Sequence, residues 1–156
     1  MSNSARGSKR VSTYLEEGGI EARVVTLDES TRTSQLAADA LGCTVAEIAK
    51  SIVFRAGEHA VVVVISGDKR VDAKKVGALL GVKVSNADAD AVKSLTGYVI
   101  GGVPPFPHDA AVKVILDSSL SRFEKVWAAA GTPNSVMNIA VAQLTAIAGD
   151  FTDVAQ

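Results

Sequence analysis

Residues 51 to 66 read Ser-Ile-Val-Phe-Arg-Ala-Gly-Glu-His-Ala-Val-Val-Val-Val-Ile-Ser. Two β-rich runs, Ser51 to Arg55 and Ala60 to Ser66, flank Ala56-Gly57-Glu58-His59. A short link containing Gly between two such runs is a hairpin signal. A hairpin requires at least one antiparallel pair, so a doubly wound, all-parallel sheet is not expected.

Upstream of this hairpin, Val11, Tyr14 and Leu15 take helical spacing in a helix over Ser8 to Glu17, stopped by Gly18-Gly19. Glu21 to Leu27 reads as a strand. Thr33 or Ser34 can cap a helix through Leu36 to Leu41 that ends at Gly42. Val45 to Ala49 is a short helical turn. Downstream, Gly67-Asp68-Lys69 is a turn, and Asp72 can cap a helix over Ala73 to Leu80 that ends at Gly81. Val82 to Val84 reads as a short strand, and Asp88 to Leu95 as a weaker helix. Further strands are expected at Ala111 to Leu116, Lys125 to Ala130 and Ser135 to Ile139, with a closing helix at Val141 to Ile147. Strands and helices alternate unevenly, so the expected class is α/β (α+β) with a mixed sheet. Residues 1–156 read as one domain, with Met1 to Gly7 as a flexible leader.

The chain has 156 residues, enough for one buried core. Aromatic residues are only 4% of it, too few for a base-stacking surface. The formal net charge is −1, whereas a protein that coats nucleic acid is normally basic. An RNA partner would need a local patch, either Lys69, Arg70, Lys74 and Lys75 or Arg6, Lys9 and Arg10; both also read as ordinary solvated surface. The single cysteine, Cys43, excludes an internal disulfide and reads as a small buried residue. The polar start lacks the apolar stretch of a signal peptide, and the longest apolar run, Ala60 to Ile65, is too short to span a membrane. A reducing, cytoplasmic setting is expected.

Familiar chemical motifs are sparse. No phosphate loop and no paired-histidine zinc motif is written in the chain, and His59 and His108 lie far apart, so no metal and no cofactor is expected. Two features stand out. Lys50 enters an apolar strand, where it must extend to water or line a polar cavity and there hold an anion or a polarised carbonyl. Residues 96 to 105 read Thr-Gly-Tyr-Val-Ile-Gly-Gly-Val-Pro-Pro. Gly101 and Gly102 let a ligand approach the main chain, while Pro104 and Pro105 stiffen the exit. The same residues also suit a plain tight turn.

The ordered set of segments resembles the YbaK/ProX family, freestanding relatives of the editing domain of bacterial prolyl-tRNA synthetases. The resemblance runs from about Ser30 to Gly149. It is carried by Thr33-Ser34-Gln35-Leu36-Ala37-Ala38, Leu41-Gly42, Ile48-Ala49-Lys50-Ser51-Ile52-Val53-Phe54, Gly67 to Asp72, Ala78 to Gly81, Thr96 to Pro105, and Asp117. It implies a mixed, barrel-like sheet wrapped by helices. It implies hydrolysis of the ester between a wrong amino acid and the 3′-terminal adenosine of a tRNA, of the tRNA-Pro type. The family lysine falls on Lys50, which would position the substrate. Its Gly-x-x-x-Pro loop falls on Gly101 to Pro105, whose amides at Gly101 and Gly102 would stabilise the oxyanion.

The same resemblance implies substrate contacts from Thr33, Ser51, Val103, Pro105, Gly131 and Asn134, and the basic patch of Lys69, Arg70, Lys74 and Lys75 is the candidate tRNA contact. A misacylated tRNA is the implied partner, with a synthetase as a second one; no membrane and no DNA is implied. The chain departs from known branches. Ala130-Gly131-Thr132-Pro133-Asn134 lacks the His of the alanine-removing branch, and Phe106-Pro107-His108 differs from many relatives. Two other readings are a non-catalytic module that binds aminoacyl-tRNA or a nucleotide, and a hydrolase of another small ester.

Overall fold

The hairpin is present. Ile48–Ala56 and His59–Ser66 pair antiparallel in unbroken register from Ala49 opposite Ser66 to Ala56 opposite His59. The computed structural model describes residues 3–28 and 33–156, with only the backbone of 3–6. In chain order the elements are α1 (Asn3–Glu17), β1 (Val24–Thr26), α2 (Ser34–Leu41), β2 (Ile48–Ala56), β3 (His59–Ser66), α3 (Ala73–Leu80), β4 (Ser85–Asn86), α4 (Ala89–Thr96), β5 (Lys113–Asp117), β6 (Lys125–Ala129), β7 (Ser135–Ala140), α5 (Val141–Ala148) and β8 (Phe151–Thr152). Short 3-10 turns cover Val45–Glu47 and Ser118–Arg122.

The strands form one sheet in the order β1-β7-β6-β2-β3-β5-β8, with β4 beside β2. β2 is antiparallel to β3 and parallel to β6, and β3 is parallel to β5, so the sheet is mixed as expected. Along β3, Val62 and Val64 face a core built with Val11 and Leu15 of α1, Val92 of α4 and Leu144 of α5. Val61 and Val63 face a second core with Val76 of α3, Val84 and Val154. A strand covered on both faces can be apolar at every position, which is why Ala60 to Ile65 shows no alternation. Each fully buried Val contributes roughly 1.5–3 kcal/mol relative to exposure.

One edge of β2 is divided between two neighbours. β6 pairs with it only at Ile48 and Ala49, and β4 only at Phe54 and Arg55. On that edge, between these pairings, no strand among the described residues runs beside Lys50, Ser51 and Ile52. The sheet forks there.

Some elements differ from expectation. Helix α1 begins at Asn3, so residues 3–7, read as leader, are helical; Met1 and Ser2 lie outside the described residues. Gly7 is buried against Gly131, so closely that a Cβ on either would overlap the other's main chain. Only glycine allows that crossing. Val82 to Val84 is not a strand, because the Val82 N–H turns back to the Gly77 carbonyl (3.2 Å) and pairing starts at Ser85. Lys50 lies inside β2 rather than at its entrance. Two elements without an expected counterpart are the Ser118–Arg122 turn and β8.

Candidate functional site

The fork in the sheet holds a cavity of about 340 Å³ lined by Thr33, Lys50, Ser51, Gly101 and Val103, all expected site residues. Side chains alternate along a strand. Ala49, Ser51 and Val53 therefore share one face of β2, where Ala49 and Val53 join the core of α1, α4 and α5. Lys50 and Ile52 project from the other face, toward α2 and α3. The fork lets groups from the two faces meet in one slot. Ala128 and Ala129 of β6 and Val136 of β7 supply small apolar walls, and the exposed Ile100 stands at the rim.

Thr33 is there because it caps α2: its Oγ1 accepts the Leu36 N–H at 3.1 Å, satisfying an orphan donor of the first turn. Lys50 is half-buried. Its pKa is held below the usual lysine value, first by desolvation and then by the nearby Arg70 guanidinium, with Asp68 opposing. Desolvation of that kind sharpens the interaction of an ammonium with an anionic group.

The Gly-Pro loop divides its labour. Gly101, at φ 86, lines the cavity, and its N–H has no partner among the described residues. The same is true of Val103. Gly102 does not line the cavity. Its N–H donates to the Val99 carbonyl (3.0 Å), and its carbonyl accepts the Gly131 N–H (3.0 Å). A Cβ there would lie 2.7 Å from the Thr132 backbone, so glycine at this position lets the two chain segments cross. Pro105 is buried away from the cavity. Gly131 and Asn134 are not cavity walls either. Gly131 meets α1, while the Asn134 side chain accepts from Thr132 Oγ1 (3.0 Å) and donates to the Leu27 carbonyl (3.1 Å).

Behind the loop, His108 Nε2 lies 2.8 Å from the Pro104 carbonyl. A carbonyl only accepts, so Nε2 carries the proton and Nδ1 is bare; Nδ1 is buried without a partner among the described residues. Burial lowers the His108 pKa, the Pro104 bond opposing. The Tyr98 phenol, pushed up to about 12 by burial, donates to the Pro107 carbonyl at 2.8 Å, and Arg10 lies over its ring. These groups brace the loop from outside the cavity.

Of the basic residues, Lys69, Arg70, Lys74 and Lys75 are all exposed, and Lys75 also donates to the Ala155 carbonyl (2.7 Å) and faces Asp153. Arg10 pairs with Asp109 at 3.4 Å, and the side chain of Arg6 lies outside the described residues. Cys43 is half-buried, and burial, then Glu47, raises its pKa, the reverse of an activated thiolate. Among the described residues no three His, Cys, Asp or Glu converge as a metal set, and no helix is long and apolar enough to cross a membrane.

Ile100, Ala128, Ala129 and Val136 had no signal of their own in the sequence. They are ordinary apolar residues; strand pairing brings Ala128, Ala129 and Val136 to Lys50, and Ile100 arrives with the Gly-Pro loop.

Residues 28–147 match the family model described as the aminoacyl-tRNA editing domain, and the chain belongs to that family. Among curated proteins it is 34% identical over 138 residues to the uncharacterized protein YwhH of Bacillus subtilis (strain 168), covering 88% of each chain. It is 28% identical over 141 residues to the multifunctional Ser/Thr-tRNA deacylase ProXp-y of Escherichia coli (strain K12), covering 84% of this chain and 83% of that one. A solved structure described provisionally as a trans-editing enzyme for prolyl tRNA synthetase superposes with a TM-score of 0.88 at 37% identity, over 96% of this chain and 97% of the other. The editing-domain fold and the resemblance read from the sequence therefore both hold.

Proposed function

We propose that this protein is a trans-acting aminoacyl-tRNA deacylase, cleaving the ester between a wrong amino acid and the 3′-terminal adenosine of a tRNA of the tRNA-Pro type. The observation that carries this reading is the convergence of Lys50, Gly101 and Val103 on one small cavity of an editing domain, the two loop residues having amides without a partner among the described residues. Water adds to the ester carbonyl, whose oxygen becomes an oxyanion. The amides of Gly101 and Val103 are the available donors, and one such donor is worth ~3 kcal/mol in the transition state. The bond to the ribose oxygen then breaks, and that oxygen takes a proton, giving free amino acid and free tRNA. Lys50 anchors the ribose, phosphate or carbonyl and holds the ester against the loop. No described side chain at the cavity is a ready general base, so proton transfer falls to water or to hydroxyls of the substrate.

A second site of this kind has an energetic purpose. A synthetase pocket separates side chains differing by one methylene by only ~1–3 kcal/mol, so small wrong residues pass and must be removed afterwards.

The test is a panel of tRNAs charged with Ala, Cys, Ser, Thr and Pro, incubated with the protein and with Lys50→Ala. The expected outcome is selective hydrolysis that drops roughly 100-fold or more in the variant at unchanged fold. Full activity of Lys50→Ala removes the lysine from the mechanism. Tight binding without ester loss makes the protein a carrier of charged tRNA.

A further inference from the structure

Trp127, the single tryptophan of the chain, stands between two hollows. One is the cavity at the fork. The other is an open groove of about 430 Å³ whose lining includes Glu21, Arg23, Val25, Trp127 and Asn138. Strand register makes them neighbours. Trp127 pairs with Ile48 of β2 and with Asn138 of β7, and Val24 opposite Met137 brings Arg23 next in line. Ile48 and Lys50 lie two residues apart on one face of β2, so this row runs beside the row of Lys50, about 7 Å away.

The row carries unused chemistry. Trp127 packs on Ala37, Ala38 and Ile48, yet remains only half-buried. Asn138 is half-buried and Arg23 exposed, and neither side chain has a hydrogen bond or ion pair among the described residues. An aromatic ring, an amide and a free cation together suit one unstacked nucleotide: the base stacks, its Watson–Crick edge is hydrogen-bonded and its phosphate is neutralised. An Asn amide offers a donor beside an acceptor, which matches N3 and the N4 amino group of cytosine. Glu21 can only accept, and that amino group is a donor. Aromatic residues at 4% are too few to coat a strand, but one ring seats one base.

We propose that this groove binds the cytosine nucleotide that precedes the terminal adenosine of the tRNA, its base on Trp127, its Watson–Crick edge at Asn138 and its phosphate facing Arg23. The inference rests on the deacylase reading above. With the ester held at Lys50, the CCA end of the tRNA must leave the cavity across its rim, and the groove begins at the Trp127 side of that rim.

The test compares an aminoacyl ester of adenosine with the same ester of cytidylyl-3′,5′-adenosine. Wild-type kcat/KM should favour the dinucleotide by at least ~10-fold, the order expected for one stacked base. Trp127→Ala should bring that ratio close to one, while Trp127→Phe keeps most of it. Replacing cytidine by uridine should lower the ratio in the wild type and not in Asn138→Ala. A wild-type ratio of one overturns the proposal, and so does a ratio that Trp127→Ala leaves intact or a uridine effect that Asn138→Ala leaves unchanged. Binding without turnover is read from the fluorescence of Trp127. Unesterified cytidylyl-3′,5′-adenosine should quench it and bind at least ~10-fold more tightly than adenosine. Equal affinity for the two overturns the inference. Tighter binding of the dinucleotide, with no ester hydrolysed in the tRNA panel, overturns only the deacylase reading.

Discussion

At the scale of single residues, the same amino acid types serve two ends, and the chain does not mark which. Gly101 and Gly102 are neighbours, yet one lines the cavity and the other lets the loop cross Thr132. Gly102→Ala is expected to cost about 1–3 kcal/mol of stability, because neither backbone can yield to a Cβ 2.7 Å away. A urea titration reads that loss, and a variant as stable as the wild type disproves the crossing. His108 gives a pH-dependent prediction. Its folded pKa lies below its unfolded value, so the folded protein takes up this proton less readily than the unfolded chain. Its contribution is complete above the unfolded pKa of about 6.5 and is lost as pH falls through the folded one. The wild type should therefore lose more melting temperature between about pH 7 and pH 5 than His108→Gln, which keeps a donor for the Pro104 carbonyl without titrating. Equal losses in the two proteins contradict this. Lys50 was legible in the sequence because a lysine within an apolar strand is anomalous. The bracing role of His108 was not, since it depends on where the loop turns back.

At the scale of elements, what local chemistry encodes was readable. Thr33, Asp72 and Asp88 each accept a backbone N–H at a helix start, and Gly42, Gly81 and Gly97 each end a helix at positive φ. A cap and its helix lie within one turn of each other, so the signal is local. β4 and β8 are different. Each has two residues whose extended state is fixed by a partner far away in the chain, which no window of sequence contains. The Ser118–Arg122 turn combines a local cap with a distant partner, since Ser119 Oγ accepts the Ser66 N–H at 3.2 Å. Asp117, almost fully buried, accepts the Ser119 N–H at its start and the Val154 N–H beside β8, both at 2.9 Å. Asp117→Ala should lower stability by about 2 kcal/mol through these two charge-assisted bonds. Deacylation by the remaining folded protein should change little, because Asp117 does not line the cavity. A large loss of kcat at full stability refutes that division.

At the scale of the whole molecule, the net charge of −1 leaves tRNA attraction to a local field. Lys69, Arg70 and Lys74 are exposed, and Arg70 lies close enough to Lys50 to depress its pKa. Replacing the three by Ala should raise KM for charged tRNA and reduce the slope of log affinity against log salt by ~0.7–0.9 for each phosphate that is no longer neutralised. An unchanged slope in a filter-binding titration makes the patch ordinary surface. Much of the polar half of the cavity was visible in the sequence, since Lys50 and the Gly-Pro loop carry unusual residue types. Its apolar half was not, because Ala128, Ala129 and Val136 become walls only when β6 and β7 are folded against β2. The fork itself has an evolutionary consequence. Along β2 the slot is bounded by where β6 parts from it and where β4 joins it, while Lys50 and the loop line it. Extending either pairing by one residue narrows the opening, and retracting it widens the opening, with Lys50 and the Gly-Pro loop untouched. One scaffold can thus be retuned from one misplaced amino acid to another by sliding a junction, a change that insertions in the connecting loops supply more readily than redesign of a buried pocket.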